Sequence, residues 1–266
     1  LKKAGIIAGR GQMPLLVKRE LETLGYETFV ISLSEEISDK FAAENVASVC
    51  IPPVQVGKII KTLLDENAMD VVFAGKVDKS VLLEKLRFDP TLVKLLFKVK
   101  DYRDDTLMNA VRDEFLRRGM NILRQPDILG RYLAPKGLIG SRKPTRQEEA
   151  DIAFGLEMAK KIGELDIGQT VVVRKRAVMS VEAIEGTDEA VRRGCLLAKE
   201  GAVVVKAKRP YQDDRFDIPT VGVDTLKQIA DNSGSVLAVE AGSTFVVDMA
   251  KCREYADSRG ICFIGC

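Results

Sequence analysis

Ala4-Gly5-Ile6-Ile7-Ala8-Gly9-Arg10-Gly11-Gln12-Met13-Pro14 reads as a short apolar strand running into a glycine-rich turn that opens a helix. Met13, Leu16, Val17, Leu21 and Leu24 recur at helical spacing and give that helix one apolar stripe, and Gly25 is placed to end it. Strand, tight turn and amphipathic helix in this order form one βα unit of a parallel sheet. Outward from it, apolar or β-branched runs at 28–32, 48–51, 71–74 and 121–123 read as further strands. Val56, Ile59, Ile60, Leu63 and Leu64 mark a second amphipathic helix between them. The first half is therefore expected to be a Rossmann-like α/β domain with a mainly parallel sheet.

After Gln125-Pro126 the pattern lapses. Residues 130–144 carry Gly130, Pro135, Gly137, Gly140 and Pro144 with little periodicity, which places a linker there and domains at 1–134 and 135–266. Beyond it a helix is expected over 145–162, strands over 170–173 and 177–183, and a helix after Thr187. A strand over 202–206, a helix after Gly222, strands over 236–239 and 244–247, a helix after Asp248 and a strand over 261–264 complete the reading. This is a second α/β domain, and a cleft between two such domains is the default place for a small-molecule site.

Composition limits the chemistry. The 266 residues are 46% apolar and 30% charged, which fits a soluble globular protein, and 41 Lys and Arg against 39 Asp and Glu leave a net charge of only +2. No nucleic-acid partner is called for. There is no histidine, which removes Ser-His-Asp and Cys-His nucleophiles, His-based zinc sites and His-rich di-metal phosphoesterases. Acid–base and metal work falls to carboxylates, Lys, Tyr, Cys or the substrate, and carboxylate oxygens are hard ligands that favour magnesium, manganese or calcium. Cys50, Cys195, Cys252, Cys262 and Cys266 are scattered, without a C-x-x-C pair, and suggest buried thiols in a reducing compartment. No apolar run approaches the roughly 18 residues of a membrane span, so a cytoplasmic location is expected.

Gly9-Arg10-Gly11-Gln12 follows the first strand, where glycines let backbone N–H groups approach a phosphate at a helix start. The dinucleotide fingerprint fails, because Pro14 stands where its third glycine belongs, and a purely structural tight turn is the competing reading. Asp104-Asp105-Thr106 precedes an apolar stripe, so either acid suits an N-cap, with a metal or ribose contact as the alternative. Between Lys76 and Arg103 eight Lys and Arg face four Asp and Glu, a local +4, interleaved with apolar residues from Leu82 to Phe97. Such a segment fits an anionic lipid surface or acyl chains, or packs as an ordinary helical insert.

Three strand-to-loop junctions hold the densest chemistry. They are Val181-Glu182-Ala183-Ile184-Glu185-Gly186-Thr187-Asp188, the stretch from Lys206 through Lys208, Gln212, Asp213, Arg215, Asp217 and Thr220 to Gly222, and Val239-Glu240-Ala241-Gly242. Acids with Lys206, Lys208 and Arg215 nearby suit a divalent cation held against phosphate oxygens, and ligands of α/β folds gather at strand ends. Salt-bridged loops are the bland alternative.

The chain resembles the UDP-2,3-diacylglucosamine pyrophosphatase family of the LpxI type over essentially its whole length. The resemblance rests on residues 5–14, on Asp104-Asp105-Thr106-Leu107-Met108 and on residues 181–188. It rests most specifically on Gln212-Asp213-Asp214-Arg215-Phe216-Asp217-Ile218-Pro219-Thr220-Val221-Gly222, then on residues 239–242 and Phe263-Ile264-Gly265. Arg103 departs from the pattern, where glycine is expected before the Asp pair. The resemblance implies a peripheral inner-membrane enzyme of lipid A biosynthesis, with two domains. Such an enzyme splits UDP-2,3-diacylglucosamine into UMP and 2,3-diacylglucosamine 1-phosphate, using magnesium. It also implies that Asp217 is catalytic.

On these grounds Asp217, Arg215 and Lys206 are expected to be catalytic, and Asp217, Glu185 and Asp213 to hold Mg2+. Substrate contacts are expected from Gly9, Arg10, Gly11, Gln12, Lys76, Asp104, Asp105 and Thr106 in the first half. In the second half they are expected from Glu182, Gly186, Thr187, Lys208, Gln212, Thr220, Glu240 and Gly242. Partners are the lipid-linked sugar nucleotide and the inner-membrane surface, with a homodimer as an option. The rival readings are a non-catalytic nucleotide-sugar or lipid-binding protein and a nicotinamide-dependent oxidoreductase, which the missing third glycine disfavours.

Overall fold

A computed structural model describes residues 2–77, 88–97 and 104–266 of the chain. The chain divides into two compact units: residues 1–130 with Asp213–Asp217, and Arg131–Gln212 with Ile218–Cys266.

The first unit begins with β1 (Lys2–Ala8), α1 (Met13–Thr23), β2 (Tyr26–Ser32), α2 (Glu35–Ala43) and β3 (Val49–Cys50). It continues with α3 (Val56–Asp65), β4 (Asp70–Ala74), α4 (Pro90–Leu96), α5 (Asp104–Arg117), β5 (Asn121–Ile122) and α6 (Gln125–Leu129). The five strands are all parallel in the order β3-β2-β1-β4-β5, the order of the first five strands of nucleotide-binding doubly wound sheets. β1 is covered on both faces, with Ala4, Ile6, Ile7 and Ala8 buried, which is why it reads as a continuous apolar run. α1 buries Val17 and Leu21, and α3 buries Val56, Ile59, Ile60 and Leu63. Of the apolar residues expected near a lipid, Leu82, Leu83 and Leu86 lie outside the described residues. In α4 Leu92 and Leu95 face the core, while Val93 and Phe97 are exposed.

The second unit contains β6 (Gly137–Leu138), α7 (Arg146–Glu164), β7 (Thr170–Arg174), β8 (Ala177–Val181), α8 (Thr187–Ala198) and β9 (Ala202–Lys206). It ends with β10 (Thr220–Val221), α9 (Val223–Asp231), β11 (Gly234–Val239), β12 (Phe245–Val246), α10 (Met249–Ser258) and β13 (Cys262–Gly265). Six strands lie in the order β6-β13-β11-β9-β7-β8, with β13, β11 and β9 mutually parallel. β6 and β7 run against their neighbours, and β8 runs against β7. The core joins Val204, Leu237 and Phe263 of the sheet to Val191, Leu226 and Cys252 of α8, α9 and α10.

The structure corrects the sequence reading in several places. The stretch expected as a bare linker contains β6, which pairs with β13. The strand expected over 177–183 stops at Val181, leaving Glu182 beyond its end. The strand expected over 244–247 shortens to β12 and leaves the main sheet to pair with β10. α2 and α6 were not expected at all; they are nine and five residues long, too short for a clear period.

Candidate functional site

In the first unit the strand order reverses between β1 and β4, and the loops that follow these two strands meet. Arg10 N–H donates to the Lys76 carbonyl at 2.8 Å and Lys76 N–H donates to that of Arg10 at 2.9 Å. This approach explains Gly9 and Gly75: a Cβ on Gly9 would stand 2.6 Å from the Lys76 carbonyl oxygen, and one on Gly75 2.6 Å from that of Arg10. Gly11 needs its glycine for another reason, a φ of +103°. Arg10, Gly11, Gln12 and Lys76 are exposed, and no side chain caps the N-terminus of α1. The turn thus has a structural cause for each glycine and still presents a helix start without a side-chain cap beside the exposed Arg10 and Lys76 at a switch point, an arrangement suited to an anion. Arg10 also pairs with Glu36 at 3.3 Å. Lys40, then Arg10, holds the Glu36 carboxyl below the usual carboxylate range. Asp104 and Asp105 open α5, but their side chains lie outside the described residues; Thr106 is partly buried.

Asp213–Asp217 belong to this first unit although they come from the second half of the chain. Phe216 packs edge-on against Phe73 of β4, ring centroids 5.0 Å apart. Asp214 accepts from Arg124 at 2.8 Å, and Asp213 accepts from Arg112 and Arg215, each at 3.3 Å. The segment therefore rests against the C-terminal end of β4 and presents Asp217 exposed, outside the hydrophobic interior.

In the second unit, Glu182, Lys206 and Glu240 stand where β8, β9 and β11 end. Lys206 is only 6% exposed; its ammonium donates to Thr187 Oγ1 at 3.1 Å and to the Thr220 carbonyl at 3.3 Å. Thr187 in turn donates to Glu182 Oε1 at 2.7 Å, so one hydroxyl stands between a buried cation and a carboxylate that is 8% exposed. Gly186, at φ +85°, begins α8 without a side-chain cap. Glu182 Oε2, Gln169 Oε1 and Thr170 Oγ1 are buried without a hydrogen-bond partner among the described residues. Buried polar atoms are almost always paired, so these three, clustered at strand ends, are suited to accepting hydrogen bonds.

Other expected site residues have internal duties. Glu240 accepts from the Lys208 N–H at 2.9 Å and pairs with Lys160 at 3.1 Å. Gln212 is buried and accepts from the Arg209 N–H at 3.3 Å. Gly242, at φ +69°, forms a turn whose N–H donates to the Ala134 carbonyl. Glu185 belongs to the second unit and pairs with Arg193 at 2.6 Å; its own N–H, then Arg193, holds its carboxyl below the usual range. Among the described residues no three Asp, Glu or Cys side chains form a metal-binding group. Of the expected Asp217, Glu185 and Asp213 set, guanidinium groups pair with Asp213 within the first unit and with Glu185 within the second. The donors are hard oxygens all the same, and they suit a magnesium ion carried in by phosphate oxygens with one or two carboxylates added. Burial pushes the Cys195 thiol up to about 11 and the Cys262 thiol up to about 11, so neither offers a thiolate nucleophile.

Two residues that touch these segments are not distinguished by the sequence. Gln125 holds the Asp213–Asp217 segment, as described below, and nothing beyond its place before Pro126 distinguishes it in the sequence. Thr170 faces Lys206 across the β7–β9 pairing and was read only as the start of a strand.

The LpxI N-terminal domain model matches residues 3–132 and the LpxI C-terminal domain model matches residues 135–264. The chain is 34% identical over 276 aligned positions to the UDP-2,3-diacylglucosamine pyrophosphatase LpxI of Caulobacter vibrioides, an alignment covering all of this chain and 98% of that relative. With both domain models matched in order and the likeness unbroken from end to end, the chain belongs to the LpxI family.

Proposed function

We propose that this protein hydrolyses the pyrophosphate of UDP-2,3-diacylglucosamine, releasing UMP and 2,3-diacylglucosamine 1-phosphate (lipid X) for lipid A biosynthesis. The observation that carries this reading is the full-length likeness to a pyrophosphatase of that name. Water attacks one phosphorus, its oxygen forms the new P–O bond, the bridging P–O bond breaks, and the proton of the water is taken up by a carboxylate. Asp217 is assigned to orient that water and receive the proton, since a carboxylate is ionised at neutral pH. Lys206 and Arg215, with Lys208, offset the charge that grows on the phosphoryl oxygens. Glu182 takes a sugar hydroxyl through its unpartnered oxygen, and the turn at Gly9, Arg10, Gly11 and Gln12, with Lys76, takes a phosphate or ribose. Magnesium, when bound, would neutralise pyrophosphate oxygens, and a carboxylate such as Asp217 would hold it as the alternative to orienting the water.

Among the described residues no helix is long and apolar enough to cross a membrane. The acyl chains and the inner-membrane surface are assigned to the exposed Val93 and Phe97 with the neighbouring Lys94. The purified chain, incubated with UDP-diacylglucosamine in oxygen-18 water with and without magnesium, should yield both products, with the label in one of them. Binding without turnover at any magnesium concentration would leave the non-catalytic binding protein instead.

A further inference from the structure

Gln125 is 5% exposed and opens α6. Its side-chain amide carries two hydrogens and meets two carbonyls: Phe73 of β4 at 2.9 Å and Phe216 at 3.3 Å. Its backbone N–H donates to the Asp214 carbonyl at 3.0 Å. The Phe216 carbonyl and the Asp217 N–H belong to one planar peptide unit. That N–H donates to the Asp213 carbonyl at 3.2 Å. The peptide leading into Asp217 is thus pinned on both sides, by Gln125 at its oxygen and by Asp213 at its nitrogen. Phe216 adds a second restraint through Phe73, which also meets Phe115 edge-on at 5.4 Å.

We propose that Gln125 is a positioning residue for Asp217: by gripping the carbonyl before it, the amide sets the plane from which the Asp217 carboxylate is aimed. The inference rests on the reading of Asp217 as a catalytic group. Arg124 and Arg112 hold the same segment through the side chains of Asp214 and Asp213, upstream of that peptide.

Gln125→Met keeps the length and apolar packing of the side chain and removes both donors. Turnover of UDP-diacylglucosamine by Q125M should fall by about 10- to 100-fold in kcat, the scale of a misplaced catalytic group, with KM changed by no more than about threefold. In the D217N background the same change should cost nothing further in kcat, because a residue that acts through another has no effect once its target is gone. An undiminished kcat in Q125M, or the same fold loss in both backgrounds, would overturn the proposal. Where D217N turnover falls below detection, the split between kcat and KM decides alone. If Q125M fails to fold, Phe216→Leu replaces it, loosening the ring contact while keeping the carbonyl. It is expected to give the same kcat-only, Asp217-dependent loss, and a loss in KM alone would overturn the inference. Full turnover by D217N is a separate outcome and removes the catalytic reading of Asp217 itself.

Discussion

Lys206→Met tests the second unit. The ammonium is 6% exposed and donates to Thr187 Oγ1 and the Thr220 carbonyl, and Thr187 links it to Glu182, 8% exposed. Removing it leaves the Thr220 carbonyl short of a donor, at about 1–3 kcal/mol, and strands a buried carboxylate without its neighbouring cation. Breaking a direct buried ion pair costs about 3–5 kcal/mol; with a hydroxyl interposed, we expect a total loss of about 2–4 kcal/mol in K206M. Adding Glu182→Gln should recover part of that loss, because the stranded charge is gone. Catalysis should behave differently: if Lys206 stabilises the transferring phosphoryl group as proposed, its loss should lower kcat by about 100- to 1,000-fold, and E182Q should not restore it. Urea unfolding and turnover of UDP-diacylglucosamine, measured on the single and double variants, separate the two effects. The reasoning is refuted if K206M keeps wild-type kcat, or if the double variant is no more stable than K206M.

Asp217 is exposed, so Asp217→Asn should fold, and if Asp217 takes the proton of the water as proposed, turnover should fall at least about 100-fold. Leu95 is 4% exposed and Phe97 87%, so Leu95→Asp should unfold α4, seen by circular dichroism. Phe97→Asp should fold and raise KM for the diacylated substrate much more than for a deacylated analogue; equal effects would take Phe97 out of acyl binding. Burial pushes the Glu148 carboxyl up, but Arg142, the Thr145 N–H and Ser235 outweigh it and hold the group below its ordinary range. The charged form therefore favours the folded state: the stability it contributes is present above the unfolded value near 4.5 and is lost as pH falls through the lowered folded value. Glu148→Gln should accordingly be less stable than wild type at pH 7, with the gap closing on acidification below pH 4 in thermal melts.

The strands covered on both faces were legible because they read as uninterrupted apolar runs, as in residues 4–8 and 202–206. α1 and α3 were legible because each keeps its period for ten residues or more. The absence of histidine ruled out the commonest hydrolytic machinery before any fold was considered. β6 and β10 were not legible, since a two-residue strand exists only through the partner that completes its hydrogen bonds, and the pairing of β12 with β10 was hidden for the same reason. The candidate site divides in the same way. The residue types at the loops after Val181 and Lys206 pointed to phosphate chemistry, but the burial of Lys206 and its path through Thr187 to Glu182 needed coordinates. So did the membership of Asp213–Asp217 in the first unit, which no period or composition shift foretells. Local pattern determined the βα alternation and the supply of carboxylates and cations, because periodicity and residue chemistry act over a few neighbouring positions. Tertiary structure alone decided that Phe216 would seat on Phe73 and Gln125 would grip the peptide before Asp217. Those contacts join residues more than 90 positions apart, and only long-range packing brings them together.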